Sequence, residues 1–311
     1  MLGWGRRREP VQGFRLFSVS GFLVIILFLF LPTCGTGGET GSSPGGQSGV
    51  AVLVGAGDIA LCGSSADEAT ANILDAIPGT VFTLGDNAYP DGTDSDFARC
   101  YEPSWGRHRA RTRPAPGNHE YHTAGAAPYF SYFGAAAGEP GKGYYSYDLG
   151  GWHIIVLNSQ CSEVGGCGPG SPQYEWLKND LATHQSPCTL AYWHHPLFSS
   201  GPHGNNPEVR PFWELLYAAG AEIVLNGHDH DYERFAPQDP SGNPAPDGIV
   251  EFVVGTGGGN LYSFGTVKPN SLVRNNTDHG VLKLTLRPDG YDWEFISVSG
   301  RFSDSGTGTC R

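Results

Sequence analysis

Four short apolar runs in this chain end in the same kind of polar turn, and that repetition constrains the fold more than any bulk property. Residues 50–56 run into Gly57-Asp58, and residues 80–84 into Gly85-Asp86-Asn87-Ala88-Tyr89. Residues 188–193 lead into His194-His195-Pro196, and residues 221–225 into Asn226-Gly227-His228-Asp229-His230. A fifth cluster, Gly117-Asn118-His119-Glu120, follows Pro114-Ala115-Pro116. Apolar runs this short, bounded by Gly, Asn, Asp and Pro, read as β-strands. Further runs at 144–149, 152–157, 250–254, 281–286 and 291–297 read the same way. Helices are expected at 67–76, from Pro172 to about residue 182 behind a Ser171 N-cap, and at 207–219 with Gly220 as the stop. Strands alternate with helices early and dominate late. That order predicts an α/β domain of two packed sheets, a β-sandwich flanked by helices. Loops at the carboxyl ends of strands in such a domain face one crevice, so the five clusters are expected to converge.

Taken singly, these clusters say little, since a Gly-Asp pair after a strand is ordinarily a turn. His228 and His230 carry more, because alternate residues of extended chain point to the same side. All five in order, most of them at strand ends, are poorly explained by coincidence. Two carboxylates, a phenol, an amide oxygen and three imidazoles form a mixed hard and borderline donor set. It suits Fe, Mn or Zn better than Ca or Mg, and without Cys it is no thiolate-rich structural zinc site.

The formal charge of −12 argues against a grip on a nucleic-acid backbone. The N-terminus is set apart from this acidic body. Arg6, Arg7, Arg8 and Arg15 precede an apolar stretch ending at Leu31-Pro32-Thr33-Cys34, and Gly/Ser/Thr-rich sequence follows. Residues 1–34 are expected to be a signal peptide or lipoprotein leader, with Cys34 the lipidation site in the second case. Residues 35–49 are expected to be a flexible linker and residues 50–311 the catalytic domain. The leader predicts export, either anchored on the extracytoplasmic face of a membrane or secreted. Six cysteines then remain: Cys62, Cys100, Cys161, Cys167, Cys188 and Cys310. Six permit about fifteen pairings. Cys161 and Cys167 enclose a short Gly-containing loop that can close, and the other expected pairs are Cys62 with Cys100 and Cys188 with Cys310.

The series Gly57-Asp58, Gly85-Asp86-x-x-Tyr89, Gly117-Asn118-His119-Glu120, His194-x-Pro196 and Gly227-His228-x-His230 resembles the calcineurin-like metallophosphoesterase superfamily. Ala60 stands where many of its members have a metal-binding His, and Tyr89 stands in the second motif. Both features, with Tyr232-Glu233-Arg234, resemble the purple acid phosphatase branch. The resemblance implies one metal ion on Asp58, Asp86, Tyr89 and His230, and a second on Asp86, Asn118, His194 and His228, with Asp86 bridging. Fe(III) is implied at the first and Fe(II), Zn or Mn at the second. It further implies hydrolysis of a small phosphate ester by metal-bound hydroxide attacking phosphorus. His119 and His203 would be the catalytic groups, and His119, His195 and His203 would meet substrate. Two alternatives share the motif set. One is a phosphodiesterase acting on nucleotides or lipid head groups, and the other is a noncatalytic cell-surface binding domain that retains the fold. Arg234 is expected to serve a structural ion pair, and Gly255-Thr256-Gly257-Gly258-Gly259 to form a loop near the cleft.

Overall fold

Alternate residues of the central strands face two different cores, which is why these runs are largely apolar. The computed structural model describes residues 49–311, so the leader, Cys34 and nearly all of the linker lie outside the described residues. Among the described residues thirteen strands form two sheets. The first contains β1 (Ala51–Ala56), β2 (Thr80–Leu84), β3 (Thr112–Ala115), β11 (Gly280–Arg287), β12 (Gly290–Ser297) and β13 (Ser303–Thr309). Their order is β13-β12-β11-β1-β2-β3. The second contains β4 (Tyr145–Leu149), β5 (Trp152–Val156), β6 (Cys188–Tyr192), β7 (Ile223–Asn226), β8 (Tyr232–Phe235), β9 (Val250–Val254) and β10 (Ser271–Asn275). Their order is β10-β8-β9-β7-β6-β5-β4. Ile154, Leu190, Ile223 and Phe252 pack in one core with Leu53, Val81, Phe82 and Leu284 of the first sheet. Their neighbours Ile155, Ala191, Val224 and Val253 pack in another with Leu177, Phe212, Trp213 and Leu216 of helices Pro172–Thr183 and Arg210–Ala218. The period of two thus builds a sandwich with helices on its outer face, as the element order predicts.

Strands β1, β2 and β3 are mutually parallel, and so are β5, β6, β7 and β9. Antiparallel partners complete each sheet. Four strands lack a clear sequence signal, and three of them (β3, β10 and β13) are sheet edges. An edge strand need not be apolar on both faces, and Pro114 is tolerated in β3 because one side makes no ladder. On the opposite edge Gly306 and Gly308 sit across from Trp293 and Tyr291. An added Cβ at either glycine would fall within 2.4 Å of the opposite ring, so the aromatic rings cover the glycines.

The three disulfides join Cys62 to Cys100, Cys161 to Cys167 and Cys188 to Cys310, the pairing expected above. Cys188–Cys310 closes a sequence separation of 122 residues and ties the C-terminal segment to central strand β6. Chain entropy alone makes such a long loop worth roughly 4–5 kcal/mol. Arg234 pairs with Asp304 of β13 at 2.6 Å, the structural ion pair expected of it.

Candidate metal centre

Strand direction brings the five clusters together. Asp58, Asp86 and Asn118 follow β1, β2 and β3, while His194 and the pair His228 and His230 follow β6 and β7. The two parallel segments open their carboxyl ends onto one cleft. The turns there are forced. Asp58, Asp86 and His228 have φ of 59°, 49° and 71°, and only two other non-glycine residues among those described have positive φ. Each such conformation costs about 1–3 kcal/mol and is held only when its surroundings over-determine it. Here the clasp is explicit. The His228 N–H donates to Asp58 Oδ2 at 2.9 Å, and the Asp58 N–H donates to the Gly85 carbonyl at 3.0 Å. Gly117 abuts Asp86 so closely that an added Cβ would lie 2.2 Å from Asp86 Oδ1, which excludes any other residue.

The result is two adjoining nests of electron-pair donors. In the first, Tyr89 Oη lies 3.1 Å from Asp58 Oδ1, 3.2 Å from Asp86 Oδ2 and 2.9 Å from His230 Nε2. His230 Nδ1 is 2.7 Å from the Asn260 carbonyl, so it carries the ring proton and leaves Nε2 a bare lone pair. In the second, His194 Nε2 lies 3.0 Å from Asn118 Oδ1, 3.2 Å from His228 Nδ1 and 3.4 Å from Asp86 Oδ2. His194 Nδ1 donates to the Leu84 carbonyl at 2.7 Å, which again leaves Nε2 bare. Asp86 Oδ2 is common to both nests. With the imidazoles neutral, the phenol brings one proton and His228 at most another, so lone pairs outnumber protons. Two carboxylates add negative charge, and among the described residues their ion-pair partners are histidines, with no Lys or Arg. A donor set with this deficit fits two cations sharing one carboxylate.

The crowding shows in the proton affinities. Burial opposes the Asp86 charge, but His194 and His119 hold its carboxyl well below the usual range. Burial likewise opposes the charge on His194, yet Asp86 pushes it up to about 9, so without a cation Nε2 takes up a proton toward Asp86, and a bound cation would take that proton's place. Burial and the neighbouring His194 push His195 down to about 3 and depress His228 further. Burial, then Asp58 and Asp86, raise the Tyr89 phenol well above its ordinary value.

Around the nests stand the other expected residues. His119 is partly exposed, with Nε2 3.7 Å from Asp86 Oδ2 and its ring 4.5 Å from that of Tyr89. His195 packs its ring 4.2 Å from His228, and its Nδ1 meets Ser159 Oγ at 2.9 Å. His203 is exposed on the loop after β6, its ring 4.3 Å from that of His228. The glycine-rich segment lies beside the cleft, where the Gly259 N–H donates to the Asp58 carbonyl at 2.8 Å.

Two residues to which the motif reading gives no role matter here. Glu120 is fully buried and accepts three backbone N–H groups: Asp86 (3.0 Å) and Gly117 (2.6 Å) on Oε2, and Asn87 (2.7 Å) on Oε1. It welds the loops after β2 and β3. Its position next to His119 was visible in the sequence, its bonding was not. Tyr262 stacks on His230 at 4.0 Å and 11° from a segment with no strand or motif signal.

A two-sheet α/β domain with imidazoles and carboxylates gathered at the ends of parallel strands has the layout of a metal-dependent phosphoesterase. The sequence model of the calcineurin-like phosphoesterase family matches residues 52–232, and the chain belongs to that family. Purple acid phosphatase 15 of Arabidopsis thaliana is 32% identical over 254 residues, covering 70% of this chain and 46% of that protein. The probable inactive purple acid phosphatase 1 of the same plant is 25% identical over 251 residues, covering 66% and 38%. The chain thus spans less than half the length of these curated relatives. Among solved structures, a purple acid phosphatase from yellow lupin (Lupinus luteus) seeds superposes with a TM-score of 0.70 at 23% identity, covering 84% of this chain and 54% of that one. That likeness is one of fold.

Proposed function

We propose that this chain hydrolyses phosphate esters in the manner of a purple acid phosphatase, at a centre of two metal ions. The observation that carries the reading is the pair of lone-pair nests sharing Asp86 Oδ2, with more acceptors than protons. Asp58, Asp86, Tyr89 and His230 would hold one ion, and Asp86, Asn118, His194 and His228 the other. Three anionic oxygens, if Tyr89 binds as phenolate, favour Fe(III) in the first position. The shared carboxylate and neutral ligands favour Fe(II), Zn or Mn in the second. Bound there, the ions would supply Lewis acidity for activating water and neutralising phosphoryl oxygen.

The chain's own residues do the rest. His119 and His203 stand beside the nests, with rings against Tyr89 and His228 respectively. From there they can orient a phosphoryl group and hold a proton for the departing alkoxide. His195 is tethered to Ser159 and would shape the wall behind His228. Export accords with three disulfides among the described residues, and lipidation at Cys34 would tether the domain to a membrane.

Metal analysis of the secreted domain, with aryl phosphate monoester and diester assays, tests the reading. Two metals per chain and monoester turnover are expected. Preferential diester turnover would favour a phosphodiesterase. Folded protein with neither metal nor turnover would refute the enzyme and leave a binding domain.

A further inference from the structure

His228 and His230 turn into the cleft, and the residue between them turns the other way. Asp229 is fully buried, and its carboxylate accepts three hydrogen bonds from one loop, two from backbone N–H groups and one from a side-chain hydroxyl. Oδ1 accepts the His203 N–H at 3.0 Å, while Oδ2 accepts the Gly204 N–H at 3.2 Å and the Ser199 hydroxyl. Ser199 Oγ in turn accepts the Gly201 N–H at 2.9 Å. Gly201 is wrapped so tightly on the carboxylate that an added Cβ would lie 2.2 Å from Asp229 Cγ. Glu233 holds the start of the loop, accepting the Ser200 N–H at 2.7 Å and the Ser200 hydroxyl at 2.5 Å, but the stretch that carries His203 and Gly204 is anchored on Asp229, in the motif that supplies His228 and His230. His203 itself is exposed, and its ring lies against those of His228 (4.3 Å) and Tyr262 (5.7 Å).

We infer that Asp229 is a positioning residue for His203: it clamps the loop's backbone so that the His203 imidazole stands over the cleft. The inference rests on the proposed phosphoesterase reading for its kinetic consequences, and on hydrogen bonding alone for its structural one. The device also gives register. Because His228, Asp229 and His230 are consecutive, the backbone that aims two imidazoles at the nests aims the clamp outward, and the loop follows the motif's position rather than its own sequence. A carboxylate is the suitable acceptor, since two backbone donors and a hydroxyl converge on it. Asparagine would turn an amide toward one of the N–H groups.

The test compares wild type, Asp229→Ala, Asp229→Asn, Gly201→Ala, His203→Ala and the double variant Asp229→Ala/His203→Ala. Hydrogen exchange at the amides of residues 203 and 204 is the readout independent of activity. Protection in the wild type should fall at least about tenfold in Asp229→Ala, the loss of one hydrogen bond. With an aryl phosphate monoester, kcat should drop about 100-fold in His203→Ala and about as much in Asp229→Ala, with bound metal unchanged. The double variant should be no worse than His203→Ala. Asp229→Asn should fall between. Gly201→Ala leaves the carboxylate in place but forces the loop off it, and should reproduce the same kcat loss should Asp229→Ala prove too unstable to assay. Unprotected amides in the wild type, full kcat in a folded Asp229→Ala that keeps its metals, or multiplicative losses in the double variant would each overturn the clamp. A wild type without turnover would refute the phosphoesterase reading alone and leave the exchange result standing.

Discussion

Replacing Glu120 probes the weld between the two loops that present Asp86 and Asn118. Glu120→Ala strips the one side-chain acceptor that the N–H groups of Asp86, Asn87 and Gly117 have among the described residues. All three amides are buried with their residues, apart from local adjustment, so water cannot replace the carboxylate without opening the turn. Each orphaned donor costs about 1–3 kcal/mol. Relief of the buried carboxylate, which burial and the neighbouring Asp86 charge disfavour, offsets part of that sum. The net expectation is a loss near the lower bound, about 3 kcal/mol. Glu120→Gln keeps the length and two of the three acceptances, and should lose about 1–2 kcal/mol by presenting an amide to one donor. Urea denaturation of chelator-treated protein measures this without metal linkage. Metal titration of the same variants should show affinity down by about 10–100-fold, the usual consequence of losing a residue that orients ligands. A Glu120→Ala variant within about 0.5 kcal/mol of wild type, with undiminished metal affinity, would refute the weld.

Asp86→Ala should lose both metals, since its Oδ2 belongs to both nests; elemental analysis finding two metals retained would contradict the sharing. An iron-loaded sample should show a visible charge-transfer band that Tyr89→Phe abolishes, and a colourless iron-loaded wild type would remove Tyr89 from the ligand set. Away from the cleft, His153 Nε2 meets Asp180 Oδ2 at 2.7 Å, with both residues buried. Burial opposes the His153 charge, but Asp180 and then Asp148 outweigh it and raise the imidazole; burial likewise opposes Asp180, which His153 and Ser146 hold low. A raised His contributes fully below its unfolded value of about 6.5 and fades as pH climbs through its folded value, whereas a lowered Asp contributes above about 3.8 and fades on acidification. His153→Ala should therefore cost most between about pH 4 and 6.5, where removing one partner of a buried pair costs about 3–5 kcal/mol, and a pH-independent difference in denaturation midpoints would reject the pairing. Replacing Cys188 and Cys310 by Ala together should lower stability by about 2–5 kcal/mol while sparing the metals, as checked by denaturation and elemental analysis.

Strands such as Thr80–Leu84 and Val250–Val254 were legible because residues buried on both faces are mostly apolar, Thr83 and Glu251 being the buried exceptions, and that leaves a nearly continuous run. The edges were illegible for the converse reason: Ser303–Thr309 reads as Ser, Gly and Thr because the rings of Trp293 and Tyr291 supply its cover from the neighbouring strand. The helical turns spanning Phe97–Tyr101 and Trp105–Arg111 also escaped, since neither carries a regular apolar stripe with caps.

By itself the sequence determined which chemical groups stand at the ends of strands, because a side chain's type and its offset from an apolar run are local properties. It thereby determined the donor inventory of the cleft and the family to which the chain belongs. Only the tertiary structure decided what those groups do to one another. The bare nitrogen on His194 depends on a carbonyl 110 residues away, and that on His230 on a carbonyl 30 residues away. Glu120 and Asp229 gain their roles from backbone amides of other loops. Hydrogen bonds and lone-pair crowding depend on distances of about 3 Å, and only the folded chain sets these.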